Sequence, residues 1–258
     1  MHAVLPASSV RRRLSEPLVW AGHFIAFYLV LLAFAVVFLG WNLAATVLYW
    51  LLPRRLSQPM GQRAIMANFR FLLALMRLAG LALFDLTALD TLRDEGGLVI
   101  APNHPTLLDA VLITSRLPRV VCIAKASLWG NPALGAGARL AGYIRNDAPH
   151  RLVRRAAAAI REGNQLLIFP EGTRTRTPPL GPFKAGFALM ARQAGAPVQT
   201  VLLHASSPYL TKGWPIWRRP QFPLRYHARL GPRFVVQGPA QPFSQQLEAA
   251  MQSELGRE

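Results

Sequence analysis

The sequence predicts an α/β fold, with a largely parallel sheet, helices on both faces, and an N-terminal hydrophobic membrane-associated helical segment before it. Three observations support this prediction. From residue 97 onward, short apolar runs alternate with stretches of helical periodicity. Residues 18–52 carry no formal charge. Residues 63–80 combine an apolar face with arginines spaced seven positions apart.

The charge-free run of residues 18–52 is the first element. A helix needs only about 20 residues to cross the hydrocarbon core of a bilayer, so the run is too long for one upright span. Under the positive-inside rule, a re-entrant hairpin turning near Gly40 to Asn42 would put the basic residues on both flanks on the cytoplasmic face of a bacterial-type inner membrane. We favour this hairpin, with one tilted span as the alternative. The flanking residues are Arg11, Arg12, Arg13, Arg54 and Arg55.

We place a boundary at residue 60, between an N-terminal membrane segment (1–60) and an α/β domain (61–258). The second part begins with an amphipathic helix over residues 63–80, in which Arg63, Arg70 and Arg77 share one face. An arginine stripe over an apolar face favours a helix lying in the lipid head-group layer. The alternative is a helix that packs its apolar face on the core.

The α/β pattern follows in order along the chain. Apolar runs predict strands at 98–102, 119–124, 142–146, 165–170 and 198–203. Helical patterns between them cover 106–116, 126–141, 149–163 and 183–195. Further strands are predicted at 222–231 and 233–238, followed by a closing helix over 241–256. The single cysteine, Cys122, falls within a predicted strand and is expected to be buried there.

The chain is strongly basic, with 29 Lys and Arg against 12 Asp and Glu and a formal net charge of +17. Such a surface attracts anionic lipid head groups, nucleic acids or acidic carrier proteins. The basic residues are dispersed and no nucleic-acid-binding motif accompanies them. We therefore expect a membrane phospholipid surface as the partner and no nucleic acid.

One histidine and one aspartate interrupt the apolar stretch NHPTLLD, residues 103–109. Pro105 disfavours helical geometry at His104, which places the histidine on the turn after strand 98–102. Asp109 then falls in the first turn of a helix, and its carboxylate leans back toward His104. Thr106 and Asp109 also fit a capping box, in which the carboxylate only satisfies backbone donors. Both interpretations stay open at this point.

A second polar stretch, FPEGTRT, covers residues 169–175 after another predicted strand. Loops that follow the carboxyl ends of parallel strands gather in one crevice, so this loop should face His104. An arginine in that position, Arg174, can hold a phosphate through two parallel hydrogen bonds.

These two stretches resemble the motifs of the glycerolipid acyltransferases, the family exemplified by 1-acylglycerol-3-phosphate O-acyltransferase. The resemblance covers roughly residues 95–204: NHPTLLD matches the His-x4-Asp motif, and FPEGTR matches the third motif residue for residue. Residues 124–147 resemble the segment through the second motif, and residues 182–198 resemble the stretch that leads to the fourth. The sequence departs from the pattern at the compressed GYIRND and at Thr200 and Val201, where the family carries a proline.

The resemblance implies transfer of a fatty acyl group from acyl-CoA or acyl carrier protein (acyl-ACP) to the hydroxyl of a lysophospholipid, with 1-acylglycerol-3-phosphate as the favoured acceptor. It makes His104 and Asp109 the catalytic pair. It implies no metal and no cofactor other than the acyl-CoA or acyl-ACP cosubstrate. The substrate-binding residues that it implies are Glu171, Gly172, Thr173, Arg174, Lys184 and Arg145, with Arg176 as a further candidate.

Three alternatives stay open. The first is an acyltransferase of the same mechanism that uses another lipid or hydroxylated acceptor. The second is metal-dependent hydrolysis with His104, Asp109 and Glu171 as ligands, which lacks a second histidine nearby. The third is a basic membrane- or nucleic-acid-binding protein without catalysis.

Overall fold

The computed structural model describes residues 7–131 and 135–256, apart from the side chains of residues 7–19 and of Leu128. Its helices are α1 (Ala7–Leu51), α2 (Arg54–Leu78), α3 (Asp109–Thr114), α4 (Ala126–Trp129), α5 (Gly135–Leu140), α6 (Pro149–Arg161), α7 (Gly186–Ala194) and α8 (Ala240–Leu255). Its strands are β1 (Ala82–Asp85), β2 (Leu98–Pro102), β3 (Val120–Lys125), β4 (Ile144–Asn146), β5 (Gln165–Leu167), β6 (Pro197–Ala205) and β7 (Leu224–Val235). A short 3-10 helix covers Thr87–Leu92.

Within the described residues, seven strands form one sheet in the order β1-β7-β6-β2-β5-β3-β4. Strands β6, β2, β5, β3 and β4 run parallel to one another, and among the described strands the only antiparallel pair is β6 with β7. One apolar cluster joins α1, α2 and α3 to one face of the sheet, and a second joins α6, α7 and α8 to the other. The predicted fold class, a largely parallel sheet with helices on both faces, is confirmed.

The two strands predicted at 222–231 and 233–238 are in fact one strand, β7. Gly231 and Pro232 looked like a break in the sequence, but they lie where the register between β6 and β7 shifts. A Cβ on Gly231 would stand 2.5 Å from Thr200 Oγ1, so glycine lets the two strands approach closely. Pro232 lacks a backbone N–H and contributes its carbonyl, which accepts a hydrogen bond from Thr200 Oγ1. The pair therefore forms a bulge inside a strand.

The sequence pattern also missed the edge strand β1, which pairs parallel with β7. Cys122 lies on β3, as predicted, but it is half-buried rather than fully buried, and desolvation raises the pKa of its thiol to about 11. The thiol is therefore protonated at neutral pH, as expected of an unreactive strand residue.

The predicted hairpin is wrong, because helix α1 continues without a turn through Gly40 to Asn42. A glycine inside a helix costs only about 1 kcal/mol, which is too little to end a helix of this length. Asn42 does not form a turn: its Nδ2 donates to Phe38 O at 2.9 Å, and its Oδ1 accepts from Gly137 N at 3.0 Å. Its polar side chain therefore joins α1 to α5.

The two sides of α1 have different surroundings. Phe27, Val30 and Ala45 are buried against the α/β domain. The segment Trp20–Leu51 is long and apolar enough to cross a membrane, with a mean hydropathy of 2.6. An exposed apolar stripe, which we call the α1 stripe, recurs every three to four residues on the other side: Ile25, Leu29, Leu32, Val36, Leu39, Leu43, Val47 and Trp50. Of the predicted membrane segment, residues 1–6 and the side chains of Arg11, Arg12 and Arg13 lie outside the described residues.

Helix α2 begins earlier than the predicted 63–80 helix, directly after Pro53, and residue 60 lies within it. Its apolar face packs on the core through residues such as Leu72 and Met76. Arg70 Nε donates to Ser115 O at 2.8 Å. The core-packing alternative therefore describes this face of the helix.

Candidate active site

His104 lies on the turn that follows β2, at the carboxyl edge of the parallel strands. The preceding residue, Asn103, holds this turn: its Nδ2 donates to Leu203 O at 2.9 Å, and its Oδ1 accepts from Leu203 N at 2.7 Å. Through these two bonds the Asn103 side chain extends the pairing of β2 with β6 by one residue beyond the end of β2. Asn103 is not among the predicted site residues, although its position between strand 98–102 and His104 is visible in the sequence.

Asp109 binds both the histidine and the turn. His104 Nδ1 is 2.8 Å from Asp109 Oδ2, which also accepts from Thr106 N at 2.7 Å. Thr106 Oγ1 donates to Asp109 Oδ1 at 2.7 Å. The two open interpretations of Asp109 are therefore compatible, because one carboxylate orients the ring and satisfies the turn.

The contact also defines the chemistry of the imidazole. A carboxylate accepts hydrogen bonds, so Nδ1 donates and Nε2 of the neutral ring is left as the proton acceptor. The Asp109 side chain is only 1% exposed and that of His104 is 14% exposed. Burial raises the pKa of the Asp109 carboxyl above its ordinary range, while hydrogen bonds from His104 and Thr106 oppose that rise.

Phe169 packs on the face of the histidine ring. The two ring centroids are 3.7 Å apart and the rings are inclined by 16°. Together with the Asp109 bond, this stacking fixes the plane of the imidazole. Phe169 is the first residue of FPEGTR but is not among the predicted site residues.

Glu171 connects the two polar stretches. Its Oε1 accepts from His104 N at 3.0 Å and from Thr175 Oγ1 at 2.9 Å, and its Oε2 accepts from Gly181 N at 2.9 Å. Thr175 N in turn donates to His104 O at 2.7 Å. Both oxygens of this buried carboxylate therefore bind protein donors, and Glu171 is a positioning residue for the histidine turn.

Gly172 and Lys184 lie next to each other in the following loop. Gly172 has a φ of +69°, and a Cβ there would stand 3.0 Å from Lys184 Nζ. Glycine meets both requirements, the left-handed backbone and the close approach of the lysine. Lys184 is itself held by its backbone N, which donates to Pro170 O at 2.9 Å.

Arg174 holds the segment of residues 206–223, which we call the strap. Its Nη1 donates to Leu210 O at 2.9 Å and to Thr211 O at 3.0 Å. The strap also carries Lys212, whose Nζ is 3.4 Å from Thr173 Oγ1. Lys212 is not among the predicted site residues, because the strap has no periodicity that would place it near the FPEGTR loop.

Lys212 completes a basic cluster with Lys125, Arg174 and Arg176. Desolvation, followed by the charges of Arg176, Arg174 and Lys125, lowers the pKa of Lys212. Like charges repel one another, so a bound anion would stabilise the cluster. The cluster is therefore a candidate phosphate site next to the histidine turn.

Arg145 is not brought to this cluster. It lies on the edge strand β4, opposite Ala124, and lines a separate cavity with Arg139 and Arg155. The compressed GYIRND sequence gave no indication of this placement.

An apolar cavity of about 180 Å³ opens beside the histidine turn. Leu107 and Leu108, between His104 and Asp109, form one wall. Residues from α1, α2, the connection between α2 and β1, α3 and the strap complete it: Phe27, Val30, Leu31, Phe34, Leu72, Met76, Leu81, Val111, Tyr209, Leu210 and Ile216.

The arrangement also bears on the metal-site alternative. Among residues 7–131 and 135–256, no group of three or more His, Cys, Asp and Glu side chains could hold a metal ion. The carboxylates of Asp109 and Glu171 instead accept hydrogen bonds from protein donors. His104, Asp109 and Glu171 therefore do not converge as a ligand set.

The His-x4-Asp turn and the FPEGTR loop contact each other at the carboxyl edge of a parallel sheet. This is the arrangement expected of a glycerolipid acyltransferase. Residues 83–204 match the model of the Acyltransferase family. This match and the names of the relatives described below support membership of the glycerolipid acyltransferase family.

The relatives are named for lipid acylation. A 1-acyl-sn-glycerol-3-phosphate acyltransferase of Cocos nucifera is 36% identical over 108 residues, covering 39% of this chain and 35% of that protein. Lysophospholipid acyltransferase LPCAT4 of Mus musculus is 33% identical over 205 residues, covering 74% of this chain and 38% of that protein. The chain therefore spans little more than a third of the length of these relatives.

The fold has a solved counterpart. The crystal structure of the 1-acyl-sn-glycerophosphate (LPA) acyltransferase PlsC from Thermotoga maritima matches with a TM-score of 0.63 at 18% identity. The match covers 96% of this chain and 98% of that chain. At this identity the likeness shows the fold.

Proposed function

We propose that this protein transfers a fatty acyl group from acyl-CoA or acyl carrier protein to the free hydroxyl of a lysophospholipid. Our favoured acceptor is 1-acylglycerol-3-phosphate, with phosphatidic acid as the product. The observation that carries the proposal is the 2.8 Å contact between His104 Nδ1 and Asp109 Oδ2 in the turn that Glu171 holds. The names of the relatives support the substrate class.

In the proposed reaction, His104 Nε2 takes the proton of the acceptor hydroxyl as its oxygen attacks the thioester carbonyl carbon. The new C–O bond forms and the C–S bond breaks, and the thiolate leaves with the electron pair. A thiol has a pKa of about 8.5, so it needs little help as a leaving group and can recover the proton from the imidazolium. Asp109 stabilises that imidazolium. We propose that neither a metal nor a further cofactor takes part.

We propose that the acceptor phosphate binds the basic cluster. Arg174 already uses Nη1 for the strap carbonyls, so Lys212, with Thr173 and Lys184 nearby, supplies more freely available donors. Arg145 is left out of this site because it lines another cavity.

Lys212→Gln tests this assignment. We expect the KM for lysophosphatidate to rise about tenfold with little change in kcat, because a charge-assisted contact to phosphate is lost. Steady-state thiol release measures both constants. Arg218→Gln is the matched control, since Arg218 is a cation of the same strap that stacks on Trp214. An equal rise in KM for a phosphate-free acceptor such as monoacylglycerol would contradict the assignment.

We propose that the apolar cavity receives the acyl chain of the donor. Leu31 lines it, so Leu31→Trp should fill much of the space and lower turnover of palmitoyl-CoA about tenfold relative to octanoyl-CoA. The ratio of kcat/KM for the two donors measures the effect. Leu29→Trp, on the exposed α1 stripe, should leave that ratio unchanged. An unchanged ratio for both variants would show that the acyl chain of the donor binds outside this cavity.

We further propose that α1 attaches the protein to the cytoplasmic face of a bacterial-type inner membrane. The contact of α1 with the α/β domain extends from Phe27 to Leu48. This stretch of helix is about 32 Å long, which is the thickness of the hydrocarbon core of a bilayer. A helix that crossed the bilayer would pull the domain into the lipid. The α1 stripe suits a helix that lies within one leaflet, with the basic surface against anionic head groups.

The first experiment is thiol release by the detergent-solubilised full-length protein from palmitoyl-CoA or palmitoyl-ACP, with and without lysophosphatidate. We expect release that depends on the acceptor, with phosphatidic acid as the product by mass spectrometry. Equal release without an acceptor would instead show a thioesterase. No release from either donor would overturn the proposal.

A further inference from the structure

A second cavity lies at the outer edge of the sheet, next to β4, where α1 ends and α2 begins. Its volume is about 780 Å³. In the sheet order, β4 is three strands away from β2, which carries the histidine turn. At about 4.8 Å per strand this is a separation of about 14 Å. The cavity is therefore distinct from the site at His104.

The lining of this cavity is basic. Four arginines from four different elements line it together with two carboxylates, which leaves a net charge of +2. A hydrogen bond from Ala148 N, and after it the charges of nearby arginines, lower the pKa of Asp147. This carboxylate is therefore ionised, as the net charge of +2 assumes. The charged lining residues are Arg54, Arg139, Arg145, Arg155, Asp147 and Glu162.

Aromatic side chains rim the cavity at the end of α1. Trp50 is 82% exposed and belongs to the α1 stripe, which ends here. The Arg139 guanidinium stands 6.0 Å from the Tyr49 ring centroid, and its Nη1 donates to Trp129 O at 2.8 Å. Tyr and Trp favour the layer between hydrocarbon and water, where lipid phosphates also lie.

We propose that this cavity binds the head group of an anionic glycerophospholipid. The phosphate contacts Arg139 and Arg155, and the acyl chains extend along the α1 stripe. The bound lipid holds the end of α1 in the head-group layer. This inference rests on the proposed attachment through α1 and is independent of the acyl-transfer chemistry.

The test is calorimetric titration of the detergent-solubilised full-length protein with dioctanoyl phosphatidylglycerol, dioctanoyl phosphatidylcholine and glycerol 3-phosphate. We expect phosphatidylglycerol to bind at least about tenfold more tightly than the other two. Arg139→Gln and Arg155→Gln should each weaken that binding about fivefold to tenfold. Arg155 is exposed, so its variant tests the site even if Arg139→Gln disturbs folding. Arg154→Gln, the neighbouring exposed arginine of α6 outside the cavity lining, should bind as the parent does.

Equal binding of the two dioctanoyl lipids would overturn the inference, as would the same loss in Arg154→Gln. Glycerol 3-phosphate that binds as tightly as phosphatidylglycerol would show a site for a soluble phosphate instead. If Arg155→Gln retained lipid binding but raised the KM for lysophosphatidate, the cavity would belong to the acceptor. A parent protein that releases no thiol but binds phosphatidylglycerol selectively would contradict the proposed function and support this inference.

Discussion

His104→Ala is expected to lower kcat for acceptor-dependent thiol release at least about 100-fold, because general base catalysis is lost. Among the described residues of the site, only His104 has an acceptor, Nε2, that is free to take the hydroxyl proton. The carboxylates of Asp109 and Glu171 already accept hydrogen bonds from protein donors. Stopped-flow or steady-state thiol detection with saturating lysophosphatidate measures the loss.

The matched control is His150→Ala, which removes an exposed histidine of α6 and should leave kcat unchanged. The thermal unfolding midpoint of both variants should stay close to that of the parent, because the backbone bonds of His104 to Glu171 and Thr175 do not need its side chain. Near-normal kcat in His104→Ala would remove the residue from the mechanism.

Asp109→Asn should reduce kcat about 100-fold with little change in stability, because the amide keeps the shape of the carboxylate but cannot stabilise the imidazolium. Burial raises the pKa of Asp109, so the folded state already disfavours the charge and a neutral residue costs little stability. The measurement pairs kcat with the free energy of unfolding in urea.

Thr106→Val separates orientation of the ring from capping of the turn. It removes the hydrogen bond from Thr106 Oγ1 to Asp109 Oδ1 and leaves the bond to His104 in place. We expect lower stability and nearly normal kcat in this variant, the opposite of Asp109→Asn. If Asp109→Asn lost stability but kept its kcat, Asp109 would be only a capping residue.

The predicted parallel strands agree with the structure because buried strands in this sheet are continuous apolar runs, which a sequence displays directly. The closeness of His104 and Asp109 was predictable for a similar reason, since Pro105 and the lean of helical side chains are local effects. The hairpin near Gly40 was wrong because hydropathy and flanking charge do not report the contact of Asn42 with α5.

Other parts of the site come from residues far apart in the chain. Lys212 reaches Thr173 only because Arg174 binds the strap carbonyls, and Phe169 meets His104 only because β5 lies beside β2. Arg145 departs from the predicted site since β4 is an edge strand, three strands away from β2. No spacing in the sequence encodes these neighbours.

By itself, then, the sequence determined the α/β class, the catalytic pair of His104 and Asp109 as a hypothesis, and the family resemblance through NHPTLLD and FPEGTR. The tertiary structure decided that Glu171 positions the histidine turn, that Lys212 joins the basic cluster, and that α1 packs along the domain. The physical reason is range: backbone preference and hydrophobic periodicity act over a few residues, whereas these three features depend on contacts that only the packed sheet and its helices create.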